Sequence, residues 1–180
     1  MSRGNAPKSI AESPRVRRRT DADLDACVRS LGEVHRGDGY PVNWPDRPAQ
    51  WLAPPAQLAA WVAELDGRVV GHAGLSRSEE GDAAAALWNR RGGAGAGEAA
   101  VVGRLFVALA ARGHGIGALL MAQVVAEARE HGLHPVLDVV ASDSSAVALY
   151  ERLGWELLGT VEQRWSPQQT VTVRCYAAGS

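Results

Sequence analysis

The segment Val101–Ala118 reads VVGRLFVALAARGHGIGA, a strand-like run followed by a glycine-rich turn. β-Branched and aromatic residues dominate up to Val107, which is typical of a strand. The turn Arg112–Gly117 comes next, and the apolar spacing from Ala118 onwards fits one face of a long helix. A helix that begins directly after such a turn presents free N–H groups and a positive dipole end to an anion. The segment therefore predicts a phosphate-binding site.

The composition predicts a single globular domain. A chain of 180 residues, 46% of them hydrophobic, is long and apolar enough to bury a core. The net charge of −1 argues against a general nucleic-acid binder, which would be basic. Cys27 and Cys175 match neither a disulfide framework nor a zinc pattern, and no apolar run reaches the ~20 residues of a membrane helix. Because the first residues also lack a secretory signal, we expect a cytoplasmic protein with no metal, membrane or nucleic-acid partner.

The order of predicted elements indicates a mixed α/β domain. Residues 1–13 are polar and predict a flexible tail, and residues 14–178 form the domain. The predicted order is strand, helix, loop, hairpin, strand, helix, strand, helix and two final strands, with Asp66-Gly67 as the hairpin turn. Segments 35–58 and 78–97 are rich in turn formers and are interpreted as a loop and a flexible excursion.

The loop at 35–58 has two interpretations. It carries large aromatic residues among its turn formers, including Tyr40 and Trp44. These rings either pin a surface loop to the core or form one wall of a substrate pocket, since loops on a rigid scaffold often carry specificity. Tyr40 and Trp44 are therefore the candidate substrate-binding residues.

The glycine turn alone does not identify its phosphate ligand. Gly113-x-Gly115-x-x-Ala118 matches the loose dinucleotide fingerprint. However, the predicted strand ends several residues before the first glycine, and no acid stands at the end of a second strand, because Asp138 lies in the middle of one. The lysine of a P-loop is absent as well. A nicotinamide or flavin enzyme is thus disfavoured.

Two segments of the sequence together resemble the GNAT superfamily of N-acetyltransferases. The first has the spacing of that family's acetyl-CoA-binding motif: Val107-x-x-x-x-Arg112-x-x-Gly115-x-Gly117. The second is similar to the family's other signature: Asp143-x-x-Ala146-x-x-Leu149-Tyr150-x-x-x-Gly154-Trp155. They stand at the family's usual separation, with a helix and a strand between them, and the pair is more specific than either segment. The resemblance covers roughly residues 14–177 in element order and about 98–158 in motif detail.

This resemblance implies a GNAT fold, in which about four helices flank a mixed central sheet of about six to seven strands, and acetyl-CoA as co-substrate. Backbone groups of Phe106 and Val107 would bind the pantetheine arm, and the amides of the glycine turn would wrap the pyrophosphate. The implied cofactor-binding residues are Phe106, Val107, Arg112, Gly113, His114, Gly115, Ile116, Gly117, Ala118, Asp143 and Ala146. Asp143 stands where the family usually has Asn, so an ionised side chain there could accept but not donate a hydrogen bond.

The resemblance also implies catalytic roles. Tyr150 matches the family's general acid, whose phenol protonates the CoA thiolate. A glutamate on the central strand often acts there as the base, but Val102 occupies the inward position here, which leaves Glu98 at the start of the strand as the candidate. An ordered water or His72 is an alternative, although a hairpin histidine is more often a packed core residue.

The function implied by the resemblance is direct transfer of acetyl from acetyl-CoA to a primary amine, without a metal. The acceptor, whether a small amine, an antibiotic, a peptide or a protein, has no readable code in the sequence. A homodimer is compatible with this fold, whose last strands often mediate pairing. The doubtful base and Asp143 leave open a CoA-binding sensor or catalytically idle module, and a dinucleotide-dependent oxidoreductase is a more distant alternative.

Overall fold

The computed structural model describes residues 12–92 and 97–179, which form seven strands and five α-helices. The strands are β1 Arg15–Arg18, β2 Gln57–Leu65, β3 Arg68–Arg77, β4 Glu98–Val107, β5 Leu133–Val140, β6 Glu156–Ser166 and β7 Gln169–Ala177. The helices are α1 Leu24–Asp38, α2 Pro48–Leu52, α3 Ala83–Arg91, α4 Ile116–Glu130 and α5 Ser144–Arg152. None of the helices in these two ranges is long and apolar enough to cross a membrane.

All seven strands form one sheet in the order β1-β2-β3-β4-β5-β7-β6. Only β4 and β5 pair in parallel, because α4 crosses over between them, and the other neighbours are antiparallel. Helices α4 and α5 cover one face, where Leu120, Val124 and Tyr150 pack on the sheet. Helices α1, α2 and α3 cover the other face. The sheet is therefore the middle layer of three, with buried side chains on both sides.

A β-bulge interrupts β4 in its second half. His72 on β3 pairs with Phe106, whereas Gly74 pairs with Gly103, so β4 holds one more residue than β3 between these pairs. Arg104 lies in the bulge with φ 56, a left-handed conformation that non-glycine residues seldom adopt. The extra residue reverses the alternation of side chains. As a result, Val102 belongs to the core under α4, whereas Phe106 belongs to the core under α1 and α2.

The sheet splits between its two parallel strands. β4 pairs with β5 only from Glu98, opposite Leu133, to Val101, opposite Val136. The remaining residues of the two strands, up to Val107 and Val140, are not paired with each other. The split begins just before the bulge and opens towards the glycine turn.

Most of the predicted elements are confirmed. The hairpin turns at Asp66 and Gly67, both of which have positive φ, and the sheet is mixed with seven strands. The loop interpretation of 35–58 was incomplete, because α1 continues to Asp38 and α2 lies within the segment. The flexible-excursion interpretation of 78–97 was wrong for its centre, where Ala84 and Ala85 of α3 are buried against the sheet.

Two predicted segments fall partly outside the described ranges. Residues 1–11 of the predicted tail and residues 93–96 of the predicted excursion are not among the described residues. The division of the chain into a tail and one domain stays a prediction.

Candidate active site

A cleft of about 700 Å³ opens where β4 and β5 separate. The α1–α2 connection contributes Tyr40 to its wall, and the sheet and α5 contribute side chains from both faces. Its functional side chains are Tyr40, Trp51, Asp82, Arg104, Asp138, Asp143, Tyr150 and Trp165. Because the sheet is split at this point, groups that belong to opposite faces reach one common space.

The glycine turn lies at the start of α4. Gly113 and Gly115 have φ of 86 and 71, and a Cβ at either position would point into open space. Glycine is therefore required there for the backbone conformation, not for lack of room. Within the described residues, the backbone N–H groups from Gly113 to Ala118 donate to no protein acceptor. Six consecutive unpaired amides at a helix start could hold an anion, and we call this group the anion nest, although none of its residues is part of the cleft wall.

Side chains around the turn fix its position. Arg112 forms an ion pair with Asp38 at the end of α1, and its Nε donates to the Val107 carbonyl at 3.4 Å. His114 Nδ1 lies 3.0 Å from the Ala111 carbonyl. The Arg112 charge is therefore already paired within the protein, which leaves the main chain of the turn as its principal contribution to anion binding.

Gly117 has a different reason to be glycine. A Cβ at this position would lie 3.0 Å from Cδ2 of Leu149 on α5. The missing side chain allows α5 to approach α4 closely, and α5 carries Tyr150. Gly117 thus links the anion nest to the placement of the candidate acid.

Asp143 begins α5 as its N-cap. Its Oδ1 accepts from the Ala146 N–H at 3.2 Å, and both residues line the cleft. An aspartate suits this position because a helix N-terminus offers donors and favours negative charge.

Phe106 and Val107 follow the bulge on β4. They pair with His72 and Gly71 of β3 on one side, and the side that faces β5 has no partner strand. Neither residue is part of the cleft wall, but strand backbone without a partner strand can provide donors and acceptors for an amide-containing ligand.

Tyr150 projects from α5 into the cleft. Its side chain is only 6% exposed, between the rings of Trp155 and Tyr176 at centroid distances of 6.1 and 6.0 Å. Its hydroxyl has no hydrogen-bond partner among the described residues. Burial, with smaller contributions from Tyr40 and Asp143, raises the pKa of this phenol well above its usual range. The hydroxyl therefore carries its proton at neutral pH, and Tyr150 is part of the cleft wall.

Tyr40 lies close enough to Tyr150 to contribute to the raised pKa of the Tyr150 phenol. Burial raises the pKa of Tyr40 to about 12. Its ring packs edge-on against Trp51 at 6.2 Å. Of the two candidate substrate residues, Tyr40 reaches the cleft. Trp44 does not line it, because its ring packs on His35 and is 40% exposed.

Asp138 also lines the cleft, a position that the sequence does not predict. It lies on β5 on the face opposite Tyr150, where Oδ1 accepts from the Ala84 N–H at 2.8 Å. Burial raises its pKa, although the hydrogen bonds from Cys175 and Ala84 oppose that shift. A single acid in the otherwise apolar run LHPVLDVV was the signal available in the sequence. Its meaning depends on the split sheet, which the sequence does not reveal.

The other candidate bases lie elsewhere. Glu98 is exposed at the first residue of β4, is not part of the cleft wall, and is therefore not brought together with Tyr150. His72 is completely buried, with Nδ1 2.8 Å from the Arg104 carbonyl and Nε2 2.9 Å from Arg19 Nη1. Burial lowers the pKa of His72 to about 4. With both ring nitrogens occupied away from the cleft, His72 is a core residue.

No metal-binding cluster of His, Cys, Asp or Glu occurs within residues 12–92 and 97–179. Three features of the site have the chemistry that acetyl-CoA requires: six unpaired amides at the start of α4, a strand edge without a partner strand, and a buried phenol in the cleft wall. These match the phosphates, the amide-containing arm and the thiol end of that molecule.

Comparisons with known proteins identify the family. The model of the GNAT acetyltransferase family matches residues 26–155, and the chain belongs to this family. A search of curated proteins finds no significant match in sequence.

Solved structures of acetyltransferases share the fold. Ribosomal-protein-alanine N-acetyltransferase from Brucella melitensis is 24% identical, with a TM-score of 0.66 over 91% of this chain and 98% of that one. Arabidopsis thaliana NAA60, solved with a bisubstrate analogue, is 18% identical, with a TM-score of 0.69 over 92% and 98%. The putative acetyltransferase yncA from Salmonella typhimurium, solved with its cofactor acetyl-CoA, is 18% identical, with a TM-score of 0.63 over 92% and 93%. The predicted GNAT fold is thereby confirmed.

Proposed function

We propose that this protein is an acetyl-CoA-dependent N-acetyltransferase that transfers acetyl directly to a primary amine. The observation that carries the proposal is a combination of three features: six unpaired amides at the start of α4, a β4 edge without a partner strand beyond Val101, and Tyr150 in the wall of the cleft beside that edge. Family membership supports the acyl-transfer chemistry. The alternative of a nicotinamide or flavin enzyme has no support in this arrangement.

Acetyl-CoA binding is proposed to use the backbone more than side chains. The amides of Gly113–Ala118 would hold the pyrophosphate, and the free edge at Phe106 and Val107 would bind the pantetheine amides. Preformed backbone donors need little reorganisation when the anion binds. Asp143 and Ala146 line the same split.

Tyr150 is proposed as the general acid. Bound acetyl-CoA supplies a thioester whose carbonyl carbon accepts an amine and whose sulfur leaves as a thiolate. The raised pKa of Tyr150 keeps its phenol protonated at neutral pH, so that it has a proton to give to that sulfur. Tyr150 lines the cleft, and its hydroxyl has no hydrogen-bond partner among the residues that the structure describes.

Asp138 is proposed as the proton acceptor for the attacking amine, directly or through a water molecule. Tyr150 and Asp138 line the cleft from opposite faces of the sheet, so that an acid and a base could reach the leaving sulfur and the attacking amine from different sides. A carboxylate with a raised pKa is a better base than an ordinary one. This geometry favours Asp138 over Glu98.

The test is a panel of primary amines, incubated with acetyl-CoA and followed by free-thiol detection and mass spectrometry. Equal amounts of free CoA and acetylated amine are expected for at least one acceptor. Acetyl-CoA binding without thiol release from any amine would contradict the proposal and favour a sensor. Thiol release without acetylated amine would reveal simple hydrolysis.

A further inference from the structure

Arg104 is a cleft residue that the proposed transfer reaction does not use. It lies in the β4 bulge, where reversal of the side-chain alternation directs it towards Trp51 of α2. Its left-handed φ of 56 is a strained conformation for an arginine. Such strain persists only when neighbouring groups hold the residue in place.

Three contacts fix Arg104. Its guanidinium carbon stacks 3.9 Å from the centroid of the Trp51 ring, and its Nε donates to the Trp51 carbonyl at 2.9 Å. Its own carbonyl accepts from Nδ1–H of the buried His72 at 2.8 Å. Nε2 of His72 in turn accepts from Arg19, whose Nη1 also donates to the Leu52 carbonyl at the end of α2. Side chain and backbone are thus both immobilised before any ligand binds.

The two terminal nitrogens of Arg104 are left without protein partners. Among the described residues it forms no ion pair with a carboxylate and no hydrogen bond through Nη1 or Nη2. Tyr40 and Asp82 are both close enough to influence it electrostatically, but neither forms a hydrogen bond with it among the described residues, and the Asp82 carboxylate accepts from the Glu79 N–H at 2.6 Å. A half-buried guanidinium loses hydration without full compensation unless an anion completes its hydrogen bonds.

We propose that Arg104 binds an oxyanion of the acceptor, so that the substrate is an amine that also carries a carboxylate. The planar guanidinium edge opposite Nε suits bidentate binding of such a group. Asp138 lines the same cleft and takes the amine end, which gives the acceptor site complementary charges for a zwitterion. This inference rests on the proposed N-acetyltransferase function and adds the class of acceptor.

Matched acceptors test the inference. Free α-amino acids are compared with their primary amides at equal concentrations of neutral amine, because amidation lowers the pKa of the amine. A third set of peptides, amidated at the C-terminus and carrying an internal glutamate, distinguishes a free amino acid from an acidic peptide. We expect kcat/KM to fall about 10- to 100-fold when the carboxylate is removed, the usual worth of a charged hydrogen bond.

The arginine itself is tested with Arg104→Met, which keeps an apolar side chain on Trp51, and Arg104→Lys, which keeps the charge. Arg104→Met should lose the preference for anionic acceptors completely, and Arg104→Lys should lose part of it. The affinity of both variants for acetyl-CoA should stay unchanged. Arg68→Met, on the exposed start of β3, is the control and should keep the preference.

The outcomes separate the inference from the function beneath it. Equal kcat/KM for anionic and neutral acceptors, or a preference that survives in Arg104→Met, would overturn the inference and leave the transfer function standing. Absence of acetyl transfer to every amine would overturn both.

Discussion

At the residue scale, Tyr150 is the group on which the chemistry depends most. Replacing it with Phe removes only the hydroxyl, which has no protein partner within the described ranges, so the fold and the cofactor site should persist. We expect kcat for acetyl transfer to fall about 100-fold or more, the usual contribution of a general acid. Calorimetry should give an acetyl-CoA affinity within about twofold of the wild type. Unchanged turnover would remove Tyr150 from the mechanism.

Replacement of Asp138 should lower activity without lowering stability. In Asp138→Asn the amide oxygen can still accept from Ala84, but no group with a raised pKa remains to take the amine proton. We expect kcat/KM to fall by about 100-fold. Its pH profile should also lose the rise that accompanies ionisation of Asp138. The variant should melt no lower than the wild type at neutral pH, because ionisation of a buried carboxylate costs free energy in the folded state.

Glu98→Gln is the matched control for Asp138→Asn. Both changes replace an acid by its amide, but Glu98 is exposed and outside the cleft. Its pH–rate profile should coincide with that of the wild type. If Asp138→Asn kept the wild-type pH–rate profile and Glu98→Gln were slow, Glu98 and not Asp138 would be the general base.

At the scale of elements, burial of His72 where β3 pairs with β4 makes the free energy of unfolding depend on pH. His72 is buried in its neutral form with a pKa of about 4, against about 6.5 in the unfolded chain. The unfolded state therefore takes up a proton first as the pH falls, and stability is lost from about pH 6.5 downwards. Between about pH 7 and pH 5 this linkage costs about 2 kcal/mol.

Urea unfolding of the wild type and His72→Gln at both pH values measures this contribution. The loss of stability on acidification should be smaller in the variant by about 2 kcal/mol. The pKa of His134 is also lowered by burial, so this residue likewise makes the protein less stable as the pH falls. The raised pKa of Asp138 has the opposite effect. Both remain in the variant, so the difference isolates His72. An identical loss in the two proteins would contradict the buried neutral assignment.

Elements with a strong local signal could be predicted from the sequence. The Asp66-Gly67 hairpin and the helix after the glycine turn depend on turn chemistry and apolar spacing within one segment. Helix α3 was missed because its short alanine-rich run stands between acidic and glycine-rich segments, and its burial comes from contact with β4, β5 and β7. The bulge at Arg104 was invisible because it arises from a register shift against β3.

At the scale of the whole molecule, the site is assembled by topology. The glycine turn and Tyr150 were identified from motifs because each lies within a signature of known spacing. Asp138 and Arg104 carry no such signature, and only the split between two parallel strands brings them to one cleft. Side chains whose role depends on contacts between distant segments are the ones that sequence patterns leave out.

The central claim is that the nest at the start of α4 and the split in the sheet bind acetyl-CoA. Calorimetric titration of the wild-type protein with acetyl-CoA, and separately with acetylpantetheine, measures this binding, because the second ligand keeps the thioester arm but lacks the pyrophosphate and the 3′-phosphoadenosine group. We predict saturable binding of acetyl-CoA and binding of acetylpantetheine that is about 100-fold weaker, since several charged hydrogen bonds are lost. No heat of binding at millimolar acetyl-CoA, or equal affinities for the two ligands, would contradict the account.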